Sequence, residues 1–321
     1  MDNDRLEILG QVAAWYYEDN VDQTVIAERI GKSRSMVSRM LQEAREQGLV
    51  EIRVTYPLKR DTEVENQLCE MFDLAEAWVL ANPPVNDRTT LLRRLGRLGS
   101  RCLQAKLHNN IKIGIGWGAS LHQFVRAMPS VRLDNALVIQ IVGAAGHSDP
   151  MMDGTELARL LAQKLNAGHR FLAAPLFVEN EMIAQSLLQE LSITETLALA
   201  RQVDINLVGI GAIESRLSSL YRTGYFNESD MQKFKQTGVV GDIMGRLIDA
   251  YGNPVDLFAN RCIIGLELKA LRNTPMVIAV AADVVKAPAI LAALRGHYIN
   301  TLITDSLTAL KVFELNRGDN H

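Results

Sequence analysis

Cysteine is scarce in this chain, with 3 residues in 321, and histidine occurs only 6 times. Cys69, Cys102 and Cys262 stand far apart, and the sequence contains neither a CxxC pair nor an HExxH motif. Because a disulfide framework or a zinc site needs ligands of these types at close spacing, the sequence predicts neither a metal nor any other cofactor. Apolar runs stay well below the roughly 20 residues that cross a bilayer, and the acidic N-terminus lacks a signal core. We therefore expect a cytoplasmic protein with no membrane partner.

An excess of positive charge is also missing, since the formal net charge is -3. A net charge summed over the whole chain is still compatible with a small basic surface on one domain. Between Arg29 and Gln42 there are four basic residues and no acidic one. The length and the hydrophobic content of 48% favour two globular domains. We place their boundary after residue 56, with a DNA-binding domain at 1–56 and an effector domain at 57–321.

The segment Asp22–Glu51 has the pattern of a helix-turn-helix, preceded by a helix at about residues 4–18. Gly31 supplies the turn, and Ser33 is a favoured N-cap for the second helix. An apolar stripe of Val37, Met40 and Leu41 predicts the buried face of that helix, and Val25, Ile26 and Ile30 are expected to face inward before it. The side chains left for DNA are Lys32, Ser33, Arg34, Ser35, Ser38, Arg39 and Gln42.

Arginine can bond guanine with two hydrogen bonds, and serine can reach bases or phosphates, so these residues suit a recognition helix in the major groove. The alternation at 49–54 predicts a short wing strand, from which Arg53, with Lys59 and Arg60, would meet the DNA backbone. The alternative is a three-helix packing unit whose basic face is merely solvated.

After a connecting helix at Asp61–Phe72, with Met71 on its apolar side, and a strand at Ala75–Ala81, apolar runs alternate with helical patterns. The further runs are Ile111–Ile115, Ala136–Val142, Phe171–Val178, Asp204–Ile210, Cys262–Leu266, Met276–Ala281 and Ile299–Ile303. This alternation predicts an α/β, Rossmann-like domain with a parallel sheet covered by helices on both faces. Ligands of such sheets bind at the carboxyl ends of the strands.

Candidate ligand-binding residues therefore follow the predicted strands. The segment GIGWGAS contains Gly116, Trp117, Gly118 and Ser120 at a strand-to-helix turn, where backbone N–H groups can hold a phosphate. Its GxGxG spacing does not fit a dinucleotide motif, and a tight turn without a ligand is the alternative. Gly143 begins another glycine-bearing strand end.

Two charged residues complete the candidate site. Asp242 could bond sugar hydroxyls, or could instead cap a helix expected at Ile243–Ala250. Lys286 follows the strand Met276–Ala281 and could neutralise a phosphate, or could be a solvated lysine at a helix start. No arrangement of Ser, His and Asp matches a hydrolase motif.

The assembled pattern resembles the SorC family of sugar-binding transcriptional regulators over nearly the whole chain. The segments that carry the resemblance are IAERIGKSRSMVSRMLQEAREQGLVEI, GIGWGAS, VDINLVGIGAI, VVGDIMGRLIDAYGNPV and KAPAILAALRGHYINTLITD. The resemblance implies a winged helix-turn-helix, a non-catalytic effector domain built like sugar-phosphate isomerases and deaminases, and a tetramer. It places Gly116, Trp117 and Gly118 at the phosphate or ligand edge, Asp242 at sugar hydroxyls and Lys286 at phosphate or carbonyl.

In one position the chain departs from the family, which often has paired glycines where Ala282 and Asp283 precede Lys286. A carboxylate there would repel a phosphate, so an unphosphorylated sugar stays open as the effector. We expect a regulator, not an enzyme, that binds double-stranded operator DNA as a homo-oligomer, a dimer of dimers, under the control of a sugar, sugar phosphate or polyol. The rival hypothesis is a sugar-phosphate isomerase or deaminase-like enzyme with an N-terminal assembly module.

Overall fold

Two stretches of the chain fold around separate apolar cores. The computed structural model describes residues 3–50, 58–84, 87–146 and 153–318. It divides the chain into a small unit, Met1–Pro57, and a large unit, Leu58–His321.

The small unit contains three helices, α1 (Asn3–Tyr17), α2 (Gln23–Arg29) and α3 (Arg34–Glu46). Gly31, at φ +62°, makes the turn between α2 and α3, a backbone conformation that L side chains rarely adopt. Ser33 caps α3, since its Oγ accepts a hydrogen bond from the N–H of Met36 at 3.2 Å. The predicted helix-turn-helix is therefore confirmed.

The buried face of α3 differs in one place from the predicted stripe. Val37 and Leu41 are fully buried as predicted, but Ala44 joins them while Met40 is only half-buried. Val25 on α2 was expected to face inward and is 41% exposed. The predicted wing strand at 49–54, with Arg53, lies almost entirely outside the described residues.

The large unit is built on a parallel sheet whose strand order is β1-β9-β8-β5-β2-β3-β4, with an antiparallel hairpin, β6–β7, joined to β5. The strands are β1 (Glu76–Leu80), β2 (Lys112–Ile115), β3 (Leu137–Gln140), β4 (Gly168–Arg170), β5 (Ile205–Ala212), β6 (Val239–Ile243), β7 (Arg246–Asp249), β8 (Met276–Val280) and β9 (Thr301–Asp305). The predicted α/β class with a parallel sheet is confirmed.

Helices connect these strands. They are α4 (Thr62–Phe72), α5 (Arg88–Gln104), α6 (Ala119–Ala127), α7 (Gly154–Leu165), α8 (Glu181–Gln189), α9 (Leu191–Ala200), α10 (Ser219–Arg222), α11 (Glu228–Gln236), α12 (Phe258–Arg261), α13 (Leu268–Leu271), α14 (Ala287–Arg295) and α15 (Ser306–Gly318), with a 3-10 helix at Val284–Lys286. No helix among the described residues is both long and apolar enough to cross a bilayer.

The two faces of the sheet bury different side chains because successive residues of a strand point in opposite directions. On β5, Leu207 packs into one core with α5, α6 and α7, whereas Val208 packs into the other with α4, α14 and α15. Both residues are fully buried, which explains why the strands read as continuous apolar runs. On α4, Met71, predicted to lie on the apolar side, is 42% exposed.

Two predicted strands are wrong. The run Phe171–Val178 contains Pro175 and makes only isolated bridges, and the edge strand is β4, just before it. The run Cys262–Leu266 is also not a strand. It makes only isolated bridges, and backbone N–H groups of Val178 and Gly143 bond the carbonyls of Cys262 and Ile264. The guanidinium of Arg246 donates hydrogen bonds of 3.1–3.5 Å to the carbonyls of Asn260, Ile263, Gly265 and Leu266, so a side chain takes the place of a continuous strand partner there.

The helix expected at Ile243–Ala250 is wrong as well. The chain reverses at Met244 (φ +55°) and Gly245 (φ +82°) and forms the β6–β7 hairpin. Asp242 therefore lies on a strand and caps no helix. The segment before β6 contains α10 and α11.

Candidate functional site

A cleft in the large unit opens where the carboxyl ends of β2, β5 and β8 meet, next to the β6–β7 hairpin. It encloses about 450 Å³, counted with its open mouth. Its polar lining consists of three cations (Arg88, Arg222 and Lys286), the carboxylate of Asp242, and the hydroxyls of Ser120 and Ser219.

The N-terminus of α6 contributes backbone donors to this cleft. Gly118 is the N-cap at φ +114° and brings no side-chain cap bond. The first intrahelical bond runs from the N–H of His122 to the carbonyl of Gly118 at 2.9 Å. The amides of Ala119 and Ser120, which line the cleft, therefore precede the hydrogen-bond ladder of the helix. Such a helix start favours negative charge.

Asp242 is held by the hairpin that carries it. It pairs with Gly211 across β5 and β6, and its Oδ2 accepts a hydrogen bond from the N–H of Gly245 at 3.0 Å. A Cβ atom on Gly211 would lie 1.9 Å from Asp242 Oδ1, so only glycine at 211 leaves room for this carboxylate. Burial raises the pKa of Asp242 from 3.8 to about 6, although the Gly245 amide and the positive charge of Lys286 act in the opposite direction.

Lys286 is 92% buried at the end of the 3-10 helix, with a relative exposure of 8%. Its Nζ donates a hydrogen bond to the carbonyl of Ile210 at 2.7 Å. Burial lowers its pKa from 10.5 to about 8, helped by the charges of Arg88 and Arg222 and opposed by Asp242 and Asp283. Lys286 is therefore not the solvated lysine of the alternative interpretation.

Asp283, the residue that departs from the family pattern, adopts φ +98°, which explains why glycine suits this position. Its N–H donates to the hydroxyl of Thr308 at 3.0 Å, and its Oδ1 accepts from the N–H of Val285 at 3.1 Å. The carboxylate thus caps the 3-10 helix, and Asp283 is not among the described residues that line the cleft.

Of the seven predicted effector-binding residues, the structure brings five together: Trp117, Gly118, Ser120, Asp242 and Lys286. Gly116 and Gly143 are not among the described lining residues. The N–H of Gly116 donates to the carbonyl of Leu207 at 3.0 Å. A Cβ atom on Gly143 would lie 2.2 Å from the carbonyl oxygen of Pro175, so close packing accounts for that glycine.

Sequence reasoning missed Arg88, Arg222 and Met244, which also line the cleft. Arg222 ends the short α10, in a segment without a helical pattern long enough to recognise. Arg88 begins the helix that follows β1, so the rule that ligands gather at carboxyl ends could have found it. Among the described residues, no group of three or more His, Cys, Asp or Glu side chains could hold a metal ion.

The predicted DNA-contacting residues lie together on the small unit. All seven, Lys32, Ser33, Arg34, Ser35, Ser38, Arg39 and Gln42, are exposed. Arg60, which we expected to meet DNA from the wing, belongs to the large unit. Its guanidinium holds both carboxylate oxygens of Glu65 at 2.7 Å and lies 3.9 Å from the ring centre of Trp78, so it is occupied there.

Comparisons with known proteins agree with this architecture. Residues 56–314 match the Sugar-bind family model, which describes a sugar-binding domain. The deoxyribonucleoside regulator of Bacillus subtilis is 31% identical over 309 residues, covering 96% of this chain and 98% of its own. The transcriptional regulator LsrR of Klebsiella pneumoniae is 31% identical over 314 residues, which cover 96% of this chain and 93% of that regulator. The crystal structure of the full-length sorbitol operon regulator SorC from Klebsiella pneumoniae superimposes with a TM-score of 0.72 at 26% identity. The match covers 97% of this chain and 99% of that structure.

Fold, cleft and relatives together define a sugar-responsive transcriptional regulator: a helix-turn-helix unit joined to a sugar-binding domain. The chain belongs to the SorC family. The resemblance drawn from its motifs is thereby confirmed.

Proposed function

We propose that α3 binds the major groove of operator DNA and that a phosphorylated sugar or polyol in the cleft changes the affinity of that binding. The charge of the cleft supports a phosphorylated effector, because its lining contains three cations and one carboxylate. With the pKa of Asp242 raised to about 6, this carboxylate is the more readily neutralised when an anion approaches.

Within the cleft, we assign the phosphate to the N-terminus of α6, where the amides of Ala119 and Ser120 and the guanidinium of Arg88 can share it. Asp242 and Lys286 are assigned to sugar hydroxyls or a carbonyl. The apolar wall of Trp117 and Met244 suits the carbon face of a sugar. Buried polar groups of this kind discriminate strongly against ligands that leave them unpaired.

The DNA-binding assignment is supported by the way α3 divides its surface. Val37, Leu41 and Ala44 fix the rotation of the helix on its core, which turns Ser35 and Arg39 outward. The DNA is then read by Arg39 and the serines, while Lys32 and Arg34 neutralise phosphates. A homo-oligomer, with two such helices about one DNA turn apart, roughly 34 Å, would match a near-palindromic operator.

The first experiment tests the effector. The purified chain is incubated with a panel of pentose, hexose and polyol phosphates beside their unphosphorylated parents, and both thermal stability and product formation are recorded. A phosphorylated compound should raise Tm while its parent does not, and no product should form. Stabilisation only by unphosphorylated sugars would refute the phosphate assignment, and turnover would favour the rival enzyme.

The second experiment tests DNA binding. Full-length chain is titrated against the duplex upstream of its own gene by fluorescence anisotropy at several salt concentrations. Wild type should bind with a steep salt dependence, and Arg39→Ala should weaken binding by about tenfold or more. Arg201→Ala, an exposed arginine on the large unit, is the matched control and should leave affinity unchanged. Equal affinities for wild type and Arg39→Ala would refute the recognition-helix assignment.

A further inference from the structure

One exposed side chain on α3 is apolar. Met36 is 43% exposed in the first turn of the helix, among the polar residues assigned to DNA. The apolar core of the small unit includes the half-buried Met40 and, among the described residues, not Met36. Met36 therefore contributes little to the stability of this core, and its thioether lies on the surface that we assign to DNA.

The position of Met36 on the helix is well defined. Its N–H is bonded to the N-cap hydroxyl of Ser33 at 3.2 Å, and the fully buried Val37 fixes the rotation of the helix. At about 100° per residue, Arg39 lies roughly 160° from Val37 and so points straight away from the core. Met36 lies about 100° from Val37 on the same side as Arg39, so it flanks the outward face.

Met36 and Arg39 are three residues apart, which makes them neighbours on the helix surface. Their separation along the axis is about 4.5 Å. Successive base pairs are about 3.4 Å apart. A base contacted by Met36 therefore lies one or two base pairs from the base that Arg39 reads.

The chemistry of the major groove supplies a single apolar group for such a side chain, the C5-methyl of thymine. We propose that Met36 is a specificity-determining residue that contacts a thymine methyl one or two base pairs from the guanine bonded by Arg39. This proposal rests on the proposed DNA binding by α3 and adds to it a base identity that the polar residues cannot supply.

The experiment uses full-length chain and operators selected from a random duplex library. The guanine bonded by Arg39 is identified as the one whose replacement weakens binding by wild type but not by Arg39→Ala. Each thymine within two base pairs of this guanine is then replaced by uracil, which lacks only the methyl group. Burying one carbon contributes roughly 0.8 kcal/mol, so one replacement should weaken wild-type binding by about fourfold. For Met36→Ala the same replacement should change affinity by a factor close to one.

Two further variants separate a base contact from a structural role. Met36→Leu keeps an apolar side chain and should retain the sensitivity to uracil. Met71→Ala removes a methionine of nearly equal exposure, 42%, from the large unit and should behave like wild type. Amide hydrogen exchange in α1, α2 and α3 should be the same for Met36→Ala and wild type.

The outcomes distinguish this proposal from the one on which it rests. If the chain selects duplexes but no thymine near the guanine shows the effect, or if Met36→Ala weakens thymine and uracil duplexes equally, the methyl contact is refuted while DNA binding stands. If the chain selects no duplex at all, the assignment of α3 to DNA fails, and the methyl contact fails with it.

Discussion

Replacing Asp242 with Asn should stabilise the free protein while weakening its effector binding. The carboxylate is 93% buried, with a relative exposure of 7%, and burial raises its pKa from 3.8 to about 6. Asn is similar in shape, and its Oδ1 can still accept the hydrogen bond from the N–H of Gly245. The substitution therefore removes a buried charge without removing the acceptor that the hairpin uses.

The sign and size of this effect follow from the two pKa values. Because the pKa of Asp242 is higher in the folded state, its protonated form favours folding, and that stability is lost as the pH rises from about 3.8 to about 6. A difference of roughly two pKa units at 1.36 kcal/mol each means that its ionisation costs about 3 kcal/mol at pH 7. The gain in Asp242→Asn has this value as its upper bound, since Lys286 then loses a nearby negative charge.

The assay is urea unfolding of the full chain, followed by tryptophan fluorescence at pH 7 and pH 5 in a Trp15→Phe background, whose remaining tryptophans, Trp78 and Trp117, both lie in the large unit. Asp242→Asn should raise the free energy of unfolding at pH 7 and raise it only about half as much at pH 5, where part of the wild-type carboxylate is already protonated. A variant that is no more stable than wild type at pH 7, or whose gain is the same at both pH values, would refute the reasoning.

Two further substitutions test the local geometry, each beside a matched control. Gly211→Ala would place a Cβ atom 1.9 Å from Asp242 Oδ1 and should lower both Tm and effector affinity. Gly209→Ala, with its nearest contact at 3.4 Å, should leave Tm much closer to that of wild type, and it is a control for Tm alone because Gly209 also lines the cleft. Ser33→Ala removes the N-cap of α3 and should cost about 1 kcal/mol of stability in the small unit, measured as faster amide hydrogen exchange in α3, while the exposed Ser38→Ala should cost much less in the same measurement.

The sheet could be predicted because its strands carry a local signal. Leu207 and Val208 face opposite cores, so a strand buried on both faces has to be apolar at every position. The same signal misleads at Cys262–Leu266, where the composition is that of a strand. The carbonyls of Ile263, Gly265 and Leu266 are bonded instead by the guanidinium of Arg246, a single polar group that lies more than 15 residues earlier and has no local pattern.

The hairpin that carries Asp242 was missed for a related reason. A two-residue turn with positive φ at both positions normally has the sequence Asn-Gly or Asp-Gly, and here Met244 occupies the first position. Met244 is 4% exposed and lines the cleft. The unusual turn residue therefore lies at the candidate site, where local rules of conformation are most often broken.

The departure at Asp283 bears directly on the effector. From sequence alone, a carboxylate beside Lys286 argues against a phosphate, since like charges repel. The structure turns that carboxylate to the N–H of Val285, where it caps the 3-10 helix, and the backbone N–H of Asp283 is held by Thr308. A group engaged in this way acts on the cleft only through space, as one of several charges around Lys286, whereas the three cations line the cleft itself. Asp283 thus lowers the positive potential of the cleft but does not occupy the space that an anion would fill. The charge of the lining therefore still favours a phosphorylated effector.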